Sequence, residues 1–224
     1  DAQESRGLGD VYKRQSQVND LTRMRGYESP LAATLEQSRM TQATLDALLD
    51  AIKESLPAFR KYLKHKGQLL GHKNGLPFYD LFAPLGGEGS RTFTIEEAKD
   101  YLVDHFNKFS PDLADMVENM YQEETLDIYP RRGKVGGAFC SNLPFIDTSR
   151  ILLNFEGSLS DVVTMAHELG HAYHGVQIQD HRPLNWDYSM PVAETASTFN
   201  EALIMESLIK DADKEERIAL IESQ

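Results

Sequence analysis

Apolar residues recur at intervals of three and four along the first third of the chain, which is the spacing of one face of an α-helix. This pattern starts at Ser29, and Thr41 is expected to open a second helix that Pro57 kinks. The apolar positions that carry the pattern are Leu31, Leu35, Leu45, Leu48, Leu49, Ile52, Leu56, Phe59, Tyr62 and Leu63.

Two capping signals predict further helices. Thr94 followed by Glu97 is a capping box, in which each side chain satisfies a backbone N–H of the first turn. Ser110 and Pro111 form a second start signal, because proline is well tolerated in the first turn of a helix. The chain is therefore expected to be helical over residues 29–121, with a loop at residues 76–92.

The period changes between residues 126 and 155, where several glycines interrupt the chain. Short strands are expected at 138–141 and 150–155. Helices are expected again at 160–177 and 191–209, followed by a short one near the end. This order predicts a mostly α protein with a small β-sheet, an α+β fold.

The first residues differ from the rest of the chain. Residues 1–15 lack an apolar period and do not begin with Met. We expect them to be an extraneous or disordered tail without a role, and residues 16–224 to form the folded region.

Composition restricts the classes of partner. The 224 residues are 41% apolar and 26% charged, with a formal net charge of -12, which disfavours nucleic acid and anionic membranes as partners. No apolar run is long enough to span a membrane, and no export signal is visible, so a cytoplasmic location is expected. The single cysteine, Cys140, excludes an internal disulfide and a Cys-rich zinc site, and we expect a buried thiol rather than a nucleophile.

The segment TMAHELGHAYHG contains the pattern H-E-x-x-H at His167, Glu168 and His171. On a helix the two histidines lie about 40° apart around the axis and ~6 Å along it, so both rings can reach one ion. Glu168 points to the side of that shared position, where it can take a proton from water at the metal. The alternative is an amphipathic helix whose His and Glu are merely solvated or hydrogen-bonded.

A catalytic zinc needs a third protein ligand. His174 lies ~10.5 Å along the helix from His167, too far to share the ion, so we expect it to support the site or to lie in the core. The metzincin extension would require a glycine there and a histidine at Gln177, so that class is excluded. Glu194, at the start of the next predicted helix, completes a His2Glu site if that helix returns antiparallel.

Glu201 lies two turns beyond Glu194 on the same helix face. A carboxylate there can accept an N–H from a ligating histidine and so fix its tautomer. A solvated charge on an acidic helix is the alternative.

The ordered combination of HELGH and VAETAS resembles the M3 peptidases, which include thimet oligopeptidase and oligoendopeptidase F. The upstream segments LPFYDLFAPL, DIYPRRGKVGGAF and ILLNFEGSLSDVV are most similar to the oligoendopeptidase F branch. The resemblance covers roughly residues 27–224.

The resemblance implies a zincin-like catalytic core with one Zn²⁺ per chain, acting on short peptides in a deep channel. It assigns His167, His171 and Glu194 as zinc ligands and Glu168 as general base. It also implies that a strand borders the cleft and pairs with the substrate backbone. This strand lies around Gly137, Ala138 and Phe139.

The chain departs from the family pattern because two parts that family members carry are not found in it. One is a His- and Tyr-rich segment well after the third ligand, and the other is a sizeable portion before the region matched here. We therefore expect a partial catalytic domain that binds zinc but hydrolyses peptides weakly or not at all. Two alternatives stay open, a zinc-binding but inactive helical fragment and a metal-free helical interaction protein.

Overall fold

A computed structural model gives the fold of residues 8–83, 85 and 92–223. The chain divides into two compact units, Asp1–Tyr62 and Leu63–Gln224. The sequence predicts one folded region over 16–224, and the boundary between the two units falls within α3, the helix Gln42–Leu69.

The first unit contains two helices before α3. They are α1 (Leu8–Met24) and α2 (Pro30–Gln37), the second capped by the Ser29 hydroxyl. Residues 8–15, which the sequence predicts to be part of an extraneous or disordered tail, form the first half of α1. This stretch holds no proline, and Lys13, Arg14 and Gln15 have high helix propensity. Residues 1–7 lie outside the described part of the chain.

The apolar stripe of α3 predicts the helix but not its burial. Leu48, Ile52 and Phe59 are each more than half exposed. Pro57 lies inside the helix, which continues past it to Leu69.

In the described part of the second unit, five α-helices and three strands follow α3. The helices are α4 (Ile95–Phe109), α5 (Pro111–Gln122), α6 (Leu159–Ile178), α7 (Met190–Asp211) and α8 (Lys214–Ser223). The strands are β1 (Leu126–Asp127), β2 (Phe139–Leu143) and β3 (Thr148–Leu152). A 3₁₀ turn, Phe78–Asp80, lies between α3 and α4. The mostly α fold with a small sheet is therefore confirmed.

Capping boxes form as hydrogen-bonded pairs at the starts of α4 and α6. Thr94 and Glu97 cap α4, as the sequence predicts. Helix α6 begins one residue before its predicted start, with Ser158 as the capping residue and Asp161 as its partner in the first turn. Gly157 makes this start possible: its φ is +94°, and an added Cβ would lie 2.7 Å from the carbonyl oxygen of Phe93.

The strands form one sheet in the order β1-β3-β2. Strand β3 pairs parallel to β1 and antiparallel to β2, with Cys140 opposite Ile151. Strand β2 is therefore an edge strand of the sheet.

The core of this unit surrounds α6. Met165, Ala166 and Leu169 of α6 are fully buried, and a buried Leu or Met side chain contributes roughly 1.5–3 kcal/mol to folding. The other fully buried large side chains are Leu102 and Phe106 of α4, Leu113 and Val117 of α5, Ile151 of β3, Val162 of α6, Ile204 of α7 and Leu220 of α8. Helix α6 is thus a central element of this unit. Among the described residues, no helix combines the length and apolarity that crossing a membrane requires.

Candidate metal centre

Helices α6 and α7 pack with their backbones in close contact. A Cβ added at Gly170 would lie 2.6 Å from both the carbonyl oxygen of Ala196 and the Cα of Ser197. The buried amide of Asn200 donates from α7 to the Ala166 carbonyl of α6, at 3.2 Å. Gly170 of α6 faces Ala196 of α7, and the earlier residue Ala166 faces the later residue Asn200, so the two helices are antiparallel.

This packing brings three potential ligand atoms together. The Nε2 atoms of His167 and His171 are 3.1 Å apart. The Oε2 atom of Glu194 lies 3.3 Å from the first and 3.4 Å from the second. The structure thus joins the two histidines of the H-E-x-x-H helix to the carboxylate that the sequence predicts as their partner.

The triangle of donor atoms has the dimensions of a zinc site. Zinc bonds of 2.0–2.1 Å in a tetrahedron separate neighbouring ligand atoms by roughly 3.3–3.4 Å. Lone pairs that face one another at this distance repel unless a proton or a cation lies between them. Within the described residues, these three side chains form the one group of His, Cys and acidic residues that could hold an ion.

Two further side chains of α7 hold side chains of the triangle in place. The Nδ1 atom of His167 hydrogen-bonds the Glu201 carboxylate, which leaves the Nε2 lone pair of a neutral ring directed at the triangle. The hydroxyl of Ser197, fully buried, lies 2.8 Å from the same Glu194 oxygen that faces the histidines. Burial also lowers the pKa of His171 below its ordinary value, which favours the neutral, ligating form.

Glu168 lies beside the triangle, with only 6% of its surface exposed. Burial raises the pKa of its carboxyl; His167 opposes this shift and the charge of Glu194 adds to it. One carboxylate oxygen, Oε2, is buried without a hydrogen-bond partner, while the backbone N–H of Cys140 donates to the carboxylate. A buried oxygen without a partner is costly, so Glu168 has capacity for one more donor.

The free edge of β2 faces this carboxylate. The N–H groups of Ile151 and Leu153 donate towards β1, so the intervening Leu152 faces β2 and pairs with Phe139. The backbone groups of Cys140 and Asn142 consequently point away from β3. Gly137 and Ala138 precede the strand and Phe139 opens it, and pairing of this segment with a substrate stays a prediction.

His174 does not join the triangle. Its ring lies against that of Tyr188, with centroids 4.4 Å apart, and its buried Nδ1 atom has no hydrogen-bond partner. Burial lowers its pKa. That His174 supports the site rather than binding the ion stays a prediction.

The thiol of Cys140 is expected to react slowly in the folded protein. Burial, together with the charge of Glu168, raises its pKa to about 12. At pH 8 that value leaves roughly one thiolate in 10⁴ molecules, against about a quarter for an ordinary thiol. Absorbance titration with an aromatic disulfide should show labelling at least 100-fold slower in buffer than in urea; equal rates would contradict this.

Sequence reasoning missed several residues of this region. Ser197 lies three positions after Glu194, a spacing that places both on one helix face and was a usable signal. Nothing in the local pattern indicates Gly170, Asn142 or the backbone of Cys140, because their roles depend on contacts with other elements.

The chain is similar to known proteins over most of its length. The family model described as peptidase family M3 matches residues 2–224. The chain is 30% identical to the oligopeptidase PepF of Bacillus subtilis over 89% of this chain and 30% of the relative. It is 29% identical to an oligoendopeptidase F homologue of Lactococcus lactis subsp. lactis over 88% of this chain and 33% of the relative.

A solved structure is also similar to the chain in fold and sequence. A Chlamydophila abortus protein aligns with 92% of this chain and 34% of its own length, at 30% identity and a TM-score of 0.72. The chain thus spans about a third of the length of the relatives it matches.

Proposed function

The chain belongs to peptidase family M3, and on that premise we propose that it carries the metal-binding and water-activating part of a zinc metalloendopeptidase for short peptides. The observation that carries the proposal is the triangle of His167, His171 and Glu194 donor atoms, with edges of 3.1, 3.3 and 3.4 Å. The oligopeptidase names of the bacterial relatives support the substrate class.

In this proposal the three residues of the triangle hold one Zn²⁺. A zinc ion held there would supply Lewis acidity for the scissile carbonyl and for the attacking water. Glu201 keeps the His167 ring in the ligating tautomer, and Ser197 holds the Glu194 oxygen in place.

Glu168 is the general base of the proposed reaction. Its partnerless, buried oxygen supports this role, because that oxygen can accept a proton from the attacking water and pass it to the leaving amine. The raised pKa of the carboxyl increases its affinity for the proton in transit.

The substrate backbone is proposed to lie along the free edge of β2. An extended peptide gains main-chain hydrogen bonds when it adds to an exposed sheet edge. The backbone groups of Asn142 point to this edge, and those of Cys140 lie next to the base. Gly137, Ala138 and Phe139 lead into this edge and line its approach in the proposal.

Metal removal tests the proposal. The purified chain is expected to contain about one zinc, and a chelator should stop its hydrolysis of a quenched fluorescent peptide. Restored hydrolysis after zinc is added back is the expected result, with magnesium, which prefers oxygen ligands, as the control.

The outcomes separate the competing functions. One zinc per chain without hydrolysis would favour a zinc-binding, non-catalytic role for this chain. The metallopeptidase proposal would be refuted if the purified chain lacks stoichiometric zinc and cannot take it up.

A further inference from the structure

The side chain of Asn142 joins the edge strand β2 to the helix that carries the metal ligands. Its Nδ2 atom donates to the carbonyl oxygen of His171, at 3.2 Å. Its Oδ1 atom accepts from the Ser149 hydroxyl at 2.7 Å, and the Cys140 sulfur lies 3.5 Å from the same oxygen. The carbonyl accepts only and the hydroxyl and thiol can donate, so the network allows a single orientation of the amide.

Gly175 provides the space that this contact needs. A Cβ on Gly175 would lie 2.6 Å from both Cγ and Oδ1 of Asn142. Glycine inside a helix costs about 1 kcal/mol relative to alanine, so its presence here calls for a local reason. The amide of Asn142 fills the position of the missing side chain and reaches the helix backbone there.

The strand is therefore attached to α6 at two points. The Cys140 N–H donates to Glu168, and two residues later the Asn142 side chain donates to His171. Both attachments lie at residues of the H-E-x-x-H segment.

We propose that Asn142 is a positioning residue that holds the edge strand β2 on α6, so that the Cys140 N–H stays on Glu168 and the strand edge keeps its distance from the metal ligands. Ser149 fixes the amide from β3, so the whole sheet is aligned through this one side chain. The inference rests on the proposed function in one respect: the aligned strand edge and the triangle are taken to hold a peptide substrate between them.

Hydrogen exchange of the metal-free protein tests the contact itself. The Cys140 amide is expected to exchange at least tenfold faster in Asn142→Ala, because its strand is no longer held against Glu168. Asn142→Asp should have the same effect, since an acceptor oxygen then faces the His171 carbonyl. Gly175→Ala, which expels the amide without changing it, is a third route to the same result.

The controls distinguish positioning from general destabilisation. Asn107→Ala changes an exposed asparagine of α4 and should leave the Cys140 amide at the wild-type rate. The amides of Leu102 and Phe106, in the α4 core, should keep their protection in all variants. An unchanged Cys140 rate in Asn142→Ala and Gly175→Ala overturns the inference, as does equal acceleration in the α4 core.

A second measurement separates this inference from the proposed function. By competition with a chromogenic chelator, zinc affinity in Asn142→Ala should stay within about threefold of wild type, because the triangle is built from α6 and α7. The KM for a short peptide should rise about tenfold with a smaller change in kcat, since misplacement of the strand edge weakens backbone pairing. A wild-type chain that binds no zinc refutes the proposed function but leaves the exchange result, and the positioning role, standing.

Discussion

Replacing Glu168 with glutamine is expected to lower kcat/KM for a short peptide by about 10²–10⁴-fold while zinc remains at one equivalent per chain. The amide is isosteric but cannot accept the proton from water. Residue 168 is not a corner of the triangle, so the metal should be retained. Peptide hydrolysis and metal content, measured on the same preparation, check both statements.

Two variants frame this result. His171→Ala removes a corner of the triangle and should lose both zinc and hydrolysis. Glu118→Gln makes the same chemical change at an exposed position of α5 and should alter neither. Full peptidase activity in Glu168→Gln would show that another group activates the water.

Adding one methyl group at Gly170 is expected to destroy the proposed zinc site without changing any of the three side chains of the triangle. In Gly170→Ala the new Cβ would lie 2.6 Å from two backbone atoms of α7, which cannot rotate away. The helices must separate, and overpacking of this kind costs about 1–3 kcal/mol or more. Glu194 then moves away from the histidines, and zinc affinity should fall at least 100-fold.

Metal competition and thermal denaturation measure the two effects. Gly136→Ala is the matched control, because a Cβ there meets nothing within 4 Å and the residue has no positive φ. It should keep both the zinc affinity and the stability of wild type. A Gly170→Ala protein with wild-type zinc affinity would show that close helix contact does not set the geometry of the triangle.

Local signals predicted the helices of the second unit well. The capping box at Thr94 and the start signal at Ser110 each lie within one residue of an observed helix end. Such signals depend on residues three or four apart, and the backbone bonds that they satisfy are local. The helix over residues 8–15 was missed because α1 has no apolar period to read.

Apolar periodicity was less informative about burial. The stripe of α3 predicts a helix correctly, yet Leu48, Ile52 and Phe59 are largely exposed. Periodicity reports which residues share a face of a helix, whereas burial depends on what packs against that face.

The sequence by itself determined that His167 and His171 lie on one helix face with Glu168 beside them, because a helix repeats every 3.6 residues. It also indicated Glu194 and Glu201 as candidates on one face of the next helix. Only the tertiary structure decided that Glu194 meets the histidines, that Glu201 bonds His167, and that Asn142 reaches the His171 carbonyl. Those contacts depend on how closely α6, α7 and β2 approach one another. Gly170 and Gly175 permit the close approach because they have no side chains.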